Sequence, residues 1–245
     1  SKISVGPPFY NNLLIPFSIP FLIFMSFGPS MKWIKDKFKK FNYKILIIFL
    51  VSVIISYFIL TKTKNSFLLS IPLIVLSIYL LLITIKDFFS KKNPMSQKIS
   101  HFGFSLLITS ILLNGLFSNE FNSNMKVGDQ RVFNEKIIKL KKVSVQNVDN
   151  YKSLQANFEI KNKNSSFSLY PEVRIYQQPF TITSEADIKT TLLSDNFLVF
   201  NILKDDGYYN VRYQYKPLMI WIWISTIFIS IGGLISILKR NEQKY

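Results

Sequence analysis

The chain has 245 residues, is 49% apolar and 16% aromatic, and carries a formal charge of +16 from 30 Lys+Arg against 14 Asp+Glu. It holds no cysteine, which excludes disulfides, Cys-ligated zinc, iron–sulfur clusters and thiol catalysis by this chain. A pI near 9.8 would suit a nucleic-acid binder, but the lysines bracket apolar runs instead of forming one basic face, so nucleic acid is rejected as a partner and membrane lipid takes its place.

The opening SKISVGPPFYNN reads as a loop, with Gly6-Pro7-Pro8 a rigid turn. Because residue 1 is Ser, the chain is expected to be the C-terminal piece of something longer. Five apolar runs follow, each of membrane-span character: Leu13–Met31, Ile45–Leu60, Phe67–Ile85, Ile99–Phe117 and Leu218–Leu238. The first contains Pro16, Pro20 and Gly28-Pro29 and is expected to be kinked and packed in a bundle, where neighbours re-satisfy the freed carbonyls. Trp33, Trp221 and Trp223 flank spans and read as interfacial anchors.

The fourth run, ISHFGFSLLITSILLNGLF, carries His101, the only histidine of the chain. An ionisable group inside a membrane helix is costly and by default functional, and imidazole is a natural axial ligand for haem iron. The alternative is a neutral ring hydrogen-bonded to a carbonyl near the interface. Gly103, two residues on, removes bulk beside the ring or admits a neighbouring helix. Asn114, on the same span, reads as an interhelical hydrogen-bonding residue or the lining of a polar cavity.

Between the fourth and fifth runs, Ser118–Lys216 alternates in the manner of strands. The strand-like stretches are Ile137–Val145, Leu154–Ile160, Phe167–Tyr176, Asn196–Leu203 and Tyr208–Tyr215. Turn signals stand at Val148-Asp149-Asn150, Lys161–Ser165 and Asp205-Asp206-Gly207, and Ser184–Thr191 reads as one short helix. Glu172 and Arg174 flank Val173, so they share a strand face. They read as an ion pair, or as contacts to a cofactor carboxylate or a partner protein. Gly232-Gly233 on the last run permit close helix packing. The fold expected is a membrane α-helical bundle of five transmembrane helices with an inserted external antiparallel β-domain, a small sandwich or barrel. Its divisions are residues 1–117, 118–216 and 217–245.

Charge sets the expected topology. Lys32, Lys35, Lys37, Lys39, Lys40 and Lys44 crowd one loop, Lys86, Lys91, Lys92 and Lys98 another, and Lys239, Arg240 and Lys244 the tail. The loop Thr61–Ser66 has only Lys62 and Lys64. By the positive-inside rule the lysine-rich segments face inward and the β-domain outward. Hydrolase, Walker and Rossmann motifs are absent, so any chemistry is a cofactor's.

Four strings carry a resemblance. SVGPPFYNNLLIP (residues 4–16), ISHFG (residues 99–103), YPEVRIY (residues 170–176) and YQYKPLMIWIWISTIFISIGG (residues 213–233) occur in order over most of the chain. Together they resemble the C-terminal third of the cytochrome c-type biogenesis haem lyase family, the CcmF/NrfE kind. The tryptophan-rich WWD motif and the upstream histidines of that family are not in this sequence. The resemblance implies haem attachment to apocytochrome c, with haem received from a haem chaperone among other cytochrome c maturation proteins. It implies that His101 is an axial ligand of a b-type haem, the haem iron being the metal, with the second ligand upstream of Ser1 and quinol a possible electron source. It identifies no catalytic residue, and the fragment alone is expected to be inactive. Glu172 and Arg174 become candidates for a haem or partner contact. The implied location is the bacterial inner membrane with the β-domain in the periplasm, or alternatively the mitochondrial inner membrane. His101 lies about 5 Å along the helix from Lys98, an inner-half depth suited to electron transfer more than to bond formation with apocytochrome c. Lys98 itself is expected at the inner interface, or snorkelling to it. The rival reading is a non-catalytic transport or scaffold subunit whose β-domain docks a partner.

Overall fold

The computed structural model describes residues 7–27, 43–63, 70–90, 93–163, 165–203 and 207–242. Trp33, the lysines from Lys32 to Lys40, Gly6 and Asp205-Asp206 lie outside the described residues. Contacts divide the chain into two compact units, residues 1–117 with 221–245, and residues 118–220.

The first unit is helical. Its elements are α1 (Pro7–Phe27), α2 (Tyr43–Leu60), α3 (Ser70–Phe88), α4 (Met95–Phe117) and α5, which runs Met219–Glu242 from the end of the second unit. Four of them are long and apolar enough to cross a membrane: Tyr43–Leu60, Ser70–Phe88, Met95–Phe117 and Met219–Lys239. In α1 the apolar stretch is shorter, Leu13–Ser26. Pro7 and Pro8 open α1 instead of forming a turn before it, because proline at a first helical position loses only an amide that would be unsatisfied anyway. The helix continues through Pro16 and Pro20. Helix α4 starts at Met95, four residues before the apolar run, so Ser96 and Lys98 belong to it.

Leu22 of α1, Leu73 and Leu80 of α3, and Phe104, Ile108 and Leu112 of α4 share one cluster. Phe21 meets Phe104 edge-on at 5.7 Å, and Phe49 of α2 meets Tyr79 of α3 at 5.7 Å. Between α3 and α4 the contact is polar. Thr84 Oγ1 and Ser105 Oγ share a hydrogen bond of 2.8 Å, and Thr109 donates to the Ser77 carbonyl at 3.3 Å. In a medium without water such hydroxyls hold helices together while falling back on carbonyls of their own turn.

The second unit is an antiparallel β-sandwich. One sheet orders β1 (Asn119–Met125), β10 (Tyr209–Pro217), β9 (Ser194–Ile202) and β8 (Asp187–Thr190). The other orders β2 (Gln130–Phe133), β3 (Lys136–Val148), β4 (Tyr151–Asn162), β6 (Glu172–Gln177) and β7 (Phe180–Glu185), with β5 (Ser165–Leu169) also on β4. Alternation places Ile138 and Leu140, Ala156, Phe158 and Ile160, and Leu198 and Phe200 inward at essentially zero exposure. Phe158 and Phe200 meet across the two sheets with ring centroids 6.2 Å apart.

Two sequence expectations fail here. Ser184–Thr191 is not a helix: its residues end β7 and form β8, whose Ile188 pairs with Phe197 and whose Thr190 pairs with Asp195. Eight residues are too few for helix nucleation to compete with a ladder already templated by β9. Phe167–Tyr176 is not one strand: Pro171 lacks an amide, so β5 stops at Leu169 and β6 starts at Glu172, each pairing with a different half of β4.

Candidate functional site

His101 sits in the second turn of α4, half-buried. Residues three, seven and eleven positions on are Phe104, Ile108 and Leu112, so the imidazole lies on the stripe that packs against α1 and α3. Among the described residues the ring has no hydrogen-bond partner, so the carbonyl-bonded alternative finds no support. Asp87, near the end of α3, is close enough for its charge to reach the imidazole. Asp87 is itself held by the Asn93 side-chain amide at 2.9 and 2.8 Å.

Three features fix α4 around this residue. Gly103 faces α5: a Cβ there would come within 2.8 Å of Phe228 Cβ and 2.9 Å of the Ile229 nitrogen. The missing side chain of Gly103 therefore admits a helix, not a cofactor beside the ring. Gly232 makes the reciprocal contact with Ser96 and Ser100, whereas Gly233 has nothing within 4 Å. Lys98, only 8% exposed, donates its ammonium to the carbonyls of Phe88 (3.3 Å) and Ser90 at the end of α3. This cation caps a helix C-terminus instead of reaching outward. Phe102 bridges Phe88 and Phe228 edge-on, at 5.4 and 5.6 Å.

A haem group in this place would need a free ring nitrogen, an apolar and aromatic surround and a rigid support. The surroundings of His101 have those features. Asn114 lies half-buried near the far end of the same helix. No cluster of three or more His, Cys, Asp or Glu side chains that could hold a metal occurs among the described residues.

Glu172 and Arg174 share the outer face of β6, and they bind each other. Arg174 Nε donates to Glu172 Oε1 at 2.6 Å, and Ser153 donates to the other carboxylate oxygen. The guanidinium lies over the Tyr151 ring at 5.1 Å, and Tyr151 meets Tyr176 at 5.3 Å. Burial opposes ionisation of Glu172, but the hydrogen bonds from Ser153 and Arg174 outweigh it and hold the carboxyl below its ordinary range.

A third cluster was not legible from residue spacing. Lys136 points between the sheets, donating to Asn196 Oδ1 at 2.7 Å and the Tyr213 hydroxyl at 2.9 Å. Its ammonium lies over the Tyr215 ring at 4.4 Å, and burial pushes its pKa down. Tyr213 also donates to Asn196 at 2.6 Å, and burial pushes its hydroxyl pKa up. Partners 60 and 77 positions away cannot be read from local spacing.

A helical membrane unit whose last span is preceded by an antiparallel β-sandwich, with one histidine on the inward stripe of the fourth helix, defines the class. Residues 116–217 match the family model described as the CcmF C-terminal beta-sandwich. Over 99% of its length the chain is 27% identical to the cytochrome c-type biogenesis protein CcmF of Haemophilus influenzae. It is 24% identical to CcmF of Escherichia coli and 23% identical to NrfE of Haemophilus influenzae, each also over 99% of the chain. It spans about 40% of the length of these relatives. A solved structure of the cytochrome c heme lyase CcmF shares the fold, with TM-score 0.71 and 16% identity over 94% of this chain and 40% of that one. The resemblance to the C-terminal part of the cytochrome c-type biogenesis haem lyase family is thereby borne out.

Proposed function

We propose that this chain is the C-terminal part of a cytochrome c haem lyase system, seated in a bacterial inner membrane with its β-sandwich on the periplasmic side. His101 supplies one axial ligand to a b-type haem. The observation that carries this is the state of His101: the sole histidine, inside a span, on the stripe facing α1 and α3, with no hydrogen-bond partner among the described residues. A ring without a hydrogen bond has its nitrogens available for a metal. Such a haem, when bound, accepts and passes single electrons.

The chain's own residues bind and orient. The Gly103–Phe228 and Gly232–Ser100 contacts lock α4 to α5, and Lys98 ties α4 to the end of α3, so the imidazole cannot drift along or around its helix. One histidine cannot make a bis-histidine site, so the second imidazole and the groups that promote attachment come from other segments. The β-sandwich, lacking His and Cys, serves as a docking surface for the haem chaperone, apocytochrome c and other maturation proteins, and Glu172 with Arg174 forms part of it. Quinol is the proposed electron source.

The test is a reduced-minus-oxidised spectrum of the purified membrane complex. A b-type signal lost in His101→Ala, with complex assembly intact, supports the assignment. An unchanged spectrum removes it and leaves the scaffold reading, in which the β-sandwich docks a partner without a haem in this span. Orientation is tested separately. Protease added to the outer face should cut the β-sandwich and spare the lysine-rich stretch at residues 32–44, and the reverse pattern would overturn it.

A further inference from the structure

Turns favour Gly, Pro, Asn, Asp and Ser. The turn between β8 and β9 instead places Leu192 and Leu193 at its tip, 67% and 69% exposed. The tip is rigid. Thr191 N–H donates to the Ser194 carbonyl at 2.9 Å, the Thr191 hydroxyl donates to the same oxygen at 2.8 Å, and Ser194 N–H donates back to that hydroxyl at 3.1 Å. Two ordered leucines held out at a turn tip demand an apolar environment.

The position of the turn says which one. The Leu193 carbonyl accepts the amide of Leu218 at 2.9 Å. Leu218 is the residue between β10 and α5, and the apolar span of α5 begins at the next residue, Met219. Leu218 makes the change of direction with φ at 59°, a left-handed conformation that a leucine adopts only under constraint. A hydrogen bond thus ties the turn tip to the residue that precedes a membrane-span candidate. Basic residues stand two to three positions up the strands from the tip: Lys189, three before Leu192, pairs with Asn196, and Lys216 pairs with Asp195, two past Leu193. At about 3.3 Å per residue that is about 7–10 Å from the leucines, a spacing that would let the ammonium groups meet headgroups if the leucines enter the acyl boundary.

We propose that the Leu192–Leu193 turn is a membrane anchor, inserted in the headgroup–acyl boundary of the lipid beside the entry of α5. It would fix the β-sandwich at the membrane surface at a second point besides its covalent connections. Single leucines at an interface bind weakly, but here the span already holds them at the surface, so insertion has no association entropy to overcome.

The chain has no cysteine, so Leu193→Cys gives a unique attachment site for an environment-sensitive fluorophore. Phe180→Cys, 74% exposed at the start of β7, is the aqueous control. Both are measured in the full chain reconstituted in vesicles of phosphatidylcholine and phosphatidylglycerol. The Leu193 label should emit to the blue of the Phe180 label, resist aqueous iodide, and be quenched by lipid carrying a nitroxide near the carbonyl end of its acyl chain. Water-like emission with free access to iodide would overturn the proposal. So would shielding from iodide without quenching by the lipid nitroxide, since that means protein covers the turn. Leu192→Cys is the second reporter if Leu193→Cys does not fold.

Discussion

Gly232 of α5 lies directly against Ser100 of α4: a Cβ on Gly232 would stand 2.7 Å from the Ser100 amide nitrogen and 2.8 Å from the Ser96 carbonyl oxygen. Backbone atoms of a helix cannot rotate away as a side chain can. Gly232→Ala must therefore push the two helices apart, and a cost of about 1–3 kcal/mol is expected for such overpacking. Gly233→Ala, with open space at its Cβ, should cost nothing and gain helix propensity of up to about 1 kcal/mol. Thermal unfolding of the two variants in detergent, followed by circular dichroism, gives the comparison. Equal melting temperatures would contradict the close crossing.

The hydroxyl pair between α3 and α4 should couple weakly. Thr84 Oγ1 and Ser105 Oγ are 2.8 Å apart, but each also has an acceptor within its own helix, Leu81 O and Phe102 O, both at 2.9 Å. Losing one hydroxyl leaves the other satisfied. A double-mutant cycle of Thr84→Val and Ser105→Ala should therefore return about 0.6 kcal/mol, the usual size for hydrogen bonds between membrane helices. A coupling of several kcal/mol would mean that the two hydroxyls lack the fallback that the geometry assigns them.

The apolar runs located the helices because a membrane span announces itself by length. The start of α4 was not legible because Ser96, Gln97 and Lys98 are polar and break the apolar run; in the fold the Lys98 amide donates to the Pro94 carbonyl at 3.2 Å and its ammonium reaches the end of α3. Among the strands, β3, β4, β9 and β10 were legible from alternation. Strand β1, NEFNSNM, was not, because its residues are strand-poor and it is held by its whole-length ladder to β10, beginning with Asn119 opposite Tyr215. His101 could be singled out from residue type and location alone. Which stripe it occupies depended on Leu22 and Leu73, far away in sequence. The Glu172–Arg174 pair followed from period-two geometry, but Ser153 and Tyr151 came only from the register of β4 with β6.

The β-sandwich should lose stability in acid in a way that Glu172 shares. Its carboxyl is held below its ordinary range, with burial opposing and the bonds from Ser153 and Arg174 prevailing. A carboxylate with a depressed folded-state pKa stabilises the fold above the ordinary value, about 4.3. That contribution is lost as pH falls through the folded-state value. Glu120, lowered by hydrogen bonds from Arg212 and Gln214, acts in the same direction. The melting temperature of the wild type should thus drop as pH falls below about 5. Glu172→Gln should start lower at neutral pH and show a shallower acid drop. Parallel curves for the two proteins would remove Glu172 from the account.

Lys98 offers the clearest test of how the histidine span is held. Its ammonium is buried at 8% exposure and donates to the carbonyls of Phe88 and Ser90, where α3 leaves its last carbonyls without intrahelical partners. Lys98→Met keeps the length and apolar stem while removing charge and donors. Two carbonyls then lose their partner in a poorly hydrated place, and the favourable charge at the α3 C-terminus goes with it. A loss of about 1–3 kcal/mol is expected from unsatisfied buried acceptors. Lys86→Met, which removes an exposed lysine from the same helix end, should cost far less. The comparison is made by detergent unfolding, with limited proteolysis at residues 89–94 as the local readout. Faster cutting there in Lys98→Met alone would show that the cation pins α3 to α4 one turn from His101, whereas equal cutting in both variants would mean that the lysine contributes only charge.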